Sequence, residues 1–160
     1  MVRYKEQPRQ VLKDAGFKDQ QKTNITMKKQ LFFLLSLAEI QEIEAEIIQL
    51  GYQIVAVSPD SPENLQQTDE KQKLNYSLYS DADGTFIKGI GIAFKAPERM
   101  SGMLTDVSGG KNDGLLPVPS VFVVDTTGKI MFEYINPDFR TRLTAGLLIA
   151  VLRELQPDGS

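Results

Sequence analysis

The sequence of 160 residues contains no cysteine and no histidine. Without cysteine the chain cannot form a disulfide, a thiolate metal site or a thiol nucleophile. Without histidine it cannot form a Ser-His-Asp triad, an imidazole base or a histidine-ligated metal site. These two absences exclude thiol and imidazole chemistry whatever fold the chain adopts.

Long apolar runs are also missing. The longest strongly apolar stretch runs from Leu31 to Leu35 and resumes at Leu37 and Ala38, which is far short of the roughly 20 residues that a transmembrane helix needs. The charged first residues do not resemble a secretory signal. Hydrophobic residues make up 41% of the chain and charged residues 24%, a composition typical of one soluble globular domain with a core. We therefore expect a cytoplasmic protein with no membrane partner.

Charge is distributed unevenly along the chain. Residues 1–30 carry eight Lys and Arg against three acidic residues, a net charge of +5, and the other 130 residues carry ten against eighteen, a net charge of −8. A basic arm can approach nucleic acid, but this one has no Arg-rich stripe and only two widely spaced aromatics, Tyr4 and Phe17. We expect no nucleic-acid partner. The predicted organisation is a basic, partly ordered segment at 1–29, one domain at 30–156 and a tail at 157–160.

Hydrophobic periodicity predicts alternating helices and strands. Residues 39–50 form an amphipathic helix pattern, in which Ile40, Ile43 and Ile47 recur at three- and four-residue spacing. Short β-branched runs at 53–58 and 120–124 are typical of strands buried on both faces. The remaining predictions are a helix at 64–73, a strand at 76–79, a helix or turn at 85–92, a surface loop at 100–114, a hairpin through 125–128 into 129–135, and a final helix at 144–155. This order predicts an α/β fold with a mixed sheet covered on both faces.

Five sequence blocks carry a family resemblance: residues 39–62, 78–81, 89–94, 116–125 and 136–139. Over roughly residues 35–155 the chain resembles the peroxiredoxin-like branch of the alkyl hydroperoxide reductase and thiol-specific antioxidant (AhpC/TSA) family. The resemblance implies a thioredoxin-like, three-layer α/β/α fold with a central mixed sheet. It also implies thiol-dependent peroxide reduction, carried in that family by a Trp-Cys-Pro-x-Cys-like segment at the start of the first helix.

This chain departs from the family at its reactive positions. Counting back without a gap from Gln41, the family's cysteines fall near Gln30 and Phe33, and neither is a cysteine. A Gln amide or a Phe ring cannot act as a thiolate, so we predict no catalytic residue, no cofactor, and a redox-inactive pseudoenzyme. The resemblance leaves one site edge, Val118 and Pro119, where the family's proline is usually cis. Any small-molecule ligand there is unknown.

The segment before the first helix admits two interpretations. In the first, residues 30–35 form the central strand and 36–39 are a capping box. In the second, one helix runs from about residue 27 to residue 50, and the sheet lacks its middle strand. The first core strand is thus shortened, replaced or absent. We favour the strand. The helix would leave two sheet edges unpaired and so favour a homodimer, and a homodimeric interaction module that buries Leu31–Leu37 is the alternative function.

Other motifs give weaker signals. Asp81 and Asp83 are more typical of a turn before Thr85 than of a cation site. Gly89–Gly91 is too short for dinucleotide binding, and Gly109–Lys111 lacks a complete phosphate loop. The remaining candidates are Ser108 as a nucleophile without a base, Glu42, Glu44 and Glu46 as a solvated face, and Arg140 and Arg142 as an anion clamp or surface ion pairs.

Overall fold

The computed structural model describes residues 29–33, 40–73, 75–138 and 143–156, with the backbone alone at 30–33 and 72. Within these residues the strands are β1 (Lys29–Phe33), β2 (Tyr52–Ser58), β3 (Ser77–Ser80), β4 (Ala93–Lys95), β5 (Leu115–Pro117), β6 (Ser120–Val124) and β7 (Ile130–Ile135). The helices are α1 (Glu44–Gln49), α2 (Pro62–Gln72), α3 (Thr85–Gly89), α4 (Ser101–Val107) and α5 (Ala145–Glu154), and a 3₁₀ turn covers Glu98–Met100.

β1 is the central strand of the main sheet, whose order is β3-β2-β1-β6-β7. It pairs in parallel with β2 and antiparallel with β6. The strand interpretation is therefore confirmed over Lys29–Phe33, and the continuous helix is wrong. The physical reason is that β2 and β6 each present an inner edge of backbone donors and acceptors, and only an extended segment between them satisfies both edges. Residues 34–39, including the proposed capping box, lie outside the described residues.

Apolar clusters cover both faces of this sheet. On one face Tyr52, Ile54 and Val121 pack with residues of α1 and α5, among them Ile47 and Leu152. On the other face lie the remaining side chains of the same strands, packed against α3 and the residues after it: Val55, Val57, Phe122, Val124, Phe86, Ile87 and Ile92. Helical layers on both faces make the three-layer α/β/α arrangement that we expected. β2 and β6 are buried on both sides, as their continuous apolar runs predict.

The first helix is shorter than its sequence pattern. Residues 40 and 41 are helical, a turn follows at 42 and 43, and α1 begins only at Glu44. The Ile43 amide donates to the Ile40 carbonyl at 3.1 Å, a three-residue spacing that tightens this turn. Ile40 and Ile47 are nevertheless both buried in the same cluster, so the apolar spacing correctly predicted the face that meets the sheet.

The prediction of a surface loop at 100–114 is wrong in its first half, where α4 forms. Only Leu104 of this helix is buried, so the segment has almost no apolar periodicity to reveal it. Its last carbonyl, that of Val107, accepts from the Ser61 amide at 2.7 Å and from Asn64 Nδ2 at 2.8 Å. Tertiary contacts of this kind stabilise a helix too short to form alone.

The other predicted elements agree with the structure, whereas β4 and β5, which pair in a two-stranded sheet, were not predicted. Ser61 caps α2 through a bond from the Asn64 amide, and Thr144 caps α5 through a bond from the Leu147 amide. The hairpin closes between Asp125 and Lys129, where the Asp125 amide donates to the Lys129 carbonyl at 2.9 Å. No helix in the described ranges is long and apolar enough to cross a membrane. The division at residues 29, 30 and 156 stays a prediction.

Candidate functional site

The region to consider is the edge where β1, β2 and β3 reach their carboxyl ends. Ligands of open α/β sheets bind at this edge. β6 runs in the opposite direction, so its beginning lies here too, with Val121 paired to Phe33 at the end of β1. Val118 and Pro119 directly precede β6. The structure thus brings the predicted site edge next to the end of the central strand.

Gln30 and Phe33 lie inside β1. Gln30 pairs with Gln53 and Val124, and Phe33 pairs with Ala56 and Val121. The two positions that correspond to the family's cysteines when no gap is allowed therefore lie in a strand. The resemblance instead places the reactive segment at the start of a helix. Ten residues, 34–43, separate β1 from α1, and their sequence contains no Cys, Thr or Pro. The junction that would carry the thiol holds none of the residues of the family's segment.

Val118 and Pro119 form a half-buried turn held by three hydrogen bonds. The Val118 amide donates to the Ile92 carbonyl at 2.8 Å, and Ser120 Oγ donates to the Val118 carbonyl at 2.8 Å. The Pro119 carbonyl accepts from the Asn136 amide at 3.1 Å. All peptide bonds in the described ranges are trans, so the cis proline that the resemblance implies is wrong for this chain. The bonds from Val118 and to Pro119 tie this segment to Ile92 and Asn136.

Polar side chains at the carboxyl ends of β2 and β3 connect these two strands. Ser58 Oγ donates to Asp60 Oδ2 at 2.8 Å, and Ser80 Oγ donates to the Asp60 carbonyl at 2.7 Å. The Asp81 amide donates to the Ser58 carbonyl at 2.7 Å. These bonds hold two loops together. Ser58 is paired with a carboxylate and Ser80 with a backbone carbonyl, and the chain has no histidine that could complete a Ser-His pair.

Asp81 is the most buried carboxylate at this edge, with 6% of its surface exposed. Its two oxygens accept from the backbone amides of Phe86 at 2.8 Å and Ile87 at 3.1 Å, in the first turn of α3. Burial raises the pKa of Asp81, and the two hydrogen bonds oppose that rise. Asp83 accepts from the Thr85 amide at 3.0 Å, and its pKa is lowered chiefly by that bond. The turn interpretation of both residues is confirmed.

The other sequence candidates lie apart from this edge or have structural partners. Ser108 is fully buried, donates to the Thr105 carbonyl at 3.2 Å and accepts from the Asn112 amide at 3.0 Å. Glu46 forms an exposed ion pair with Arg153 at 2.7 Å, of the kind that contributes little to stability. Gly89–Gly91 ends α3, and Gly109–Lys111 follows α4. Arg140 and Arg142 lie outside the described residues.

Sequence reasoning missed one buried polar anchor, Asn112. Its side chain forms a closed pair of bonds with Leu115, accepting from the Leu115 amide at 2.6 Å and donating to the Leu115 carbonyl at 3.0 Å. In the sequence Asn112 lies in a polar, glycine-rich segment, a pattern that does not predict a buried side chain. Its role is to fix the start of β5.

Comparison with known proteins agrees with this architecture. The AhpC/TSA family model matches residues 35–133. Peroxiredoxin Bcp of Escherichia coli K12 is 28% identical over 109 residues, which are 68% of this chain and 62% of that protein. A putative peroxiredoxin bcp of Haemophilus influenzae is 34% identical over 53 residues, 33% of this chain and 34% of that protein. The matches thus span less than two thirds of either relative.

Solved peroxiredoxin structures share the fold. Reduced Prx3 of Vibrio vulnificus in complex with hydrogen peroxide aligns with a TM-score of 0.63 at 16% identity, covering 79% of this chain and 78% of that one. Peroxidoxin BcpB of Mycobacterium tuberculosis aligns with a TM-score of 0.56 at 19% identity, covering 81% and 80%. The thioredoxin-like fold is therefore confirmed. Since the family model covers more than half of the sequence, this cysteine-free chain belongs to the AhpC/TSA family.

Proposed function

We propose that this chain is a redox-inactive member of the AhpC/TSA family, a pseudoenzyme that acts by binding. One observation carries the proposal: the 160 residues include no cysteine. Peroxide reduction by the family's mechanism needs a thiolate that attacks one peroxide oxygen and is then reduced again. A shifted alignment cannot supply this group, because the sequence has no thiol at any position.

The remaining edge of the family's site is proposed at Val118 and Pro119. Its support is the position of this turn, directly before β6 and beside the end of β1. The polar groups around it are bonded to the protein's own backbone, as the bonds of Val118, Ser120 and Pro119 show. These bonds make a fixed wall against which a small ligand would pack, and none of the bonded groups is a thiol.

A peroxide-consumption assay tests the proposal. Purified protein is mixed with hydrogen peroxide and a small thiol reductant, with protein-free buffer containing the same reductant as the blank and E. coli K12 Bcp as the positive control. We expect no sustained turnover. Direct oxidation of methionine to its sulfoxide would stop at five equivalents, since the chain has five methionines. Consumption that continues beyond five equivalents per chain and above the blank would contradict the proposal.

The alternative function is a homodimeric interaction module. One reason to expect a dimer was a sheet without its central strand. That reason no longer holds, because β1 is present and pairs with a strand on each side. A different observation now supports the alternative: Ile48 of α1 and Leu147 of α5 are 42% and 55% exposed, on the helical layer that covers one face of the sheet. Contiguous exposed apolar patches mark sites where proteins associate, and α1 and α5 contact each other.

Sedimentation velocity over a range of micromolar concentrations tests the dimer. The alternative expects a dimer that Leu147→Lys shifts to a monomer, whereas Met103→Lys, at a similarly exposed position on α4, leaves it intact. A monomer at every concentration would eliminate this function. The cytoplasmic location and the absence of a nucleic-acid partner stay predictions.

A further inference from the structure

The sequence contains three Asp-Gly steps. Asp158–Gly159 lies outside the described residues, and the structure describes the other two, Asp83–Gly84 and Asp113–Gly114. In both, the aspartate is exposed, and the glycine is buried with a positive φ, 69° at Gly84 and 78° at Gly114. Glycine has no side chain to shield its nitrogen, so this dipeptide is chemically prone to rearrange. We propose that Asp113 is a site of spontaneous isoaspartate formation and that the fold protects Asp83 from the same reaction.

The reaction needs no reagent except water. The Gly114 nitrogen attacks the side-chain carbonyl carbon of protonated Asp113, a C–N bond forms, and water leaves to close a five-membered succinimide. Water then adds to one of the two ring carbonyls and breaks that C–N bond. When the bond to the original main-chain carbonyl breaks, the backbone continues through the side chain, and the former main-chain carbonyl becomes the free carboxylate. The overall mass does not change.

At Asp83–Gly84, hydrogen bonds restrain both groups that would react, the carboxylate and the glycine nitrogen. Its Oδ1 accepts from the Thr85 amide at 3.0 Å, which fixes the carboxylate at the start of α3. The attacking nitrogen would be that of Gly84, which instead donates to the Asp81 carbonyl at 2.9 Å. The lowered pKa of Asp83 also keeps its carboxyl group ionised, and an ionised carboxylate has no hydroxyl that can leave as water.

Asp113 and Gly114 lack both of these hydrogen-bond restraints. Among the hydrogen bonds and ion pairs of the described residues, none engages its carboxylate and none uses the amide of Gly114. Asp113 and Gly114 lie in the segment between α4 and β5, and the side chain of Asp113 is exposed to solvent. The side chain can therefore rotate toward the following nitrogen. Identical dipeptides in one chain differ in their freedom to react.

The rearrangement would have a local structural effect. It adds one methylene to the main chain immediately after Asn112, whose side chain is bonded to Leu115, and immediately before Gly114, whose carbonyl accepts from the Ala96 amide at 2.8 Å. Those bonds fix the start of β5 against β4. Isoaspartate at position 113 should therefore loosen the two-stranded sheet of β4 and β5 and leave the five-stranded sheet unchanged.

The test is an ageing experiment on the full chain. Protein kept in warm neutral buffer is sampled over several weeks and digested into peptides that separate Asp83, Asp113 and Asp158. Isoaspartate is located in each peptide by electron-transfer fragmentation and counted there with an isoaspartyl methyltransferase and labelled S-adenosylmethionine. We expect severalfold more isoaspartate at Asp113 than at Asp83 in the folded protein, and similar amounts at both in urea. Asp113→Glu should abolish the signal of the peptide that contains position 113, because a glutamate would have to close a larger ring, and Asp83→Glu should leave the signal of that peptide unchanged.

Two results would overturn the proposal. One is isoaspartate at Asp83 in amounts equal to or above those at Asp113 in the folded protein. The other is its absence at Asp113 in the folded protein, whether or not the urea-unfolded chain forms it there.

Discussion

Two tyrosine hydroxyls pack in the same apolar layer but differ in their hydrogen bonding. Tyr52 donates to the Leu152 carbonyl at 3.0 Å, whereas the buried hydroxyl of Tyr76 has no partner in the described part of the chain. Removing an unpartnered buried hydroxyl costs nothing in hydrogen bonding, while removing a partnered one leaves the other group unsatisfied, at about 1–3 kcal/mol. Tyr76→Phe should leave the free energy of unfolding unchanged or raise it by up to about 1 kcal/mol, and Tyr52→Phe should lower it by about 1–3 kcal/mol.

Urea denaturation followed by circular dichroism measures both variants, and each serves as the control for the other. A loss for Tyr76→Phe as large as that for Tyr52→Phe would show that the Tyr76 hydroxyl does have a partner.

Asp81 supports a second prediction at this scale. Asp81→Ala removes the carboxylate that accepts from the buried amides of Phe86 and Ile87 and should lower the free energy of unfolding by about 1–3 kcal/mol. Because burial raises the pKa of Asp81, the folded state binds its proton more tightly than the unfolded state. This residue's contribution to stability therefore falls as pH rises from its ordinary pKa through its raised pKa.

Asp125 provides the matched control with the opposite sign. Its pKa is lowered by hydrogen bonds from Thr127 and Lys129, so its contribution is present above its ordinary pKa and is lost as pH falls through its lowered value. Urea denaturation over the acidic pH range should show that Asp81→Asn and Asp125→Asn change the slope of stability against pH in opposite directions. If both variants changed the slope of stability against pH in the same direction, the opposite pKa shifts of Asp81 and Asp125 would be contradicted.

At the scale of elements, α4 shows what a short helix depends on. Leu104 is 1% exposed and Met103 is 51% exposed. Leu104→Ala should lower the free energy of unfolding by about 2–5 kcal/mol, the usual cost of a cavity in a core. Met103→Ala should change it by less than about 0.5 kcal/mol. Denaturation curves measure both, and a similar loss for the two would mean that α4 is not anchored through Leu104.

The elements also show which sequence patterns carry information. β2, β6 and α5 follow from their apolar runs and periodicity, because each buries enough surface to impose a pattern on its residues. α4 escapes prediction because it buries one side chain. At the candidate site, the turn role of Asp81 follows from the sequence, whereas the amides it bonds depend on where α3 packs.

For the molecule as a whole, buried tyrosines set the alkaline limit of stability. Burial, with the nearby carboxylates of Glu44 and Asp69, raises the pKa of Tyr76 from 10.0 to about 12, and burial also raises the pKa of Tyr52. The folded state then holds protons that the unfolded state releases, so the free energy of unfolding should fall as pH rises from 10.0 to about 12. Tyrosinate absorbance and urea denaturation together measure this fall, which should be shallower in Tyr76→Phe. If the slope of stability against pH were the same in Tyr76→Phe as in the unmodified chain, the role of Tyr76 in the alkaline loss of stability would be contradicted.

The sequence by itself determined the chemistry that this protein lacks, because a missing thiol is missing in every conformation. It also determined the family, through ordered blocks of residues matched along most of a domain. Only the tertiary structure decided that residues 29–33 are a strand. An apolar run of that length fits a helix or a strand equally well, and the choice depends on the two edges, of β2 and β6, that receive its backbone hydrogen bonds. Those edges are built by residues more than 15 positions away, so no local pattern in the run could reveal them.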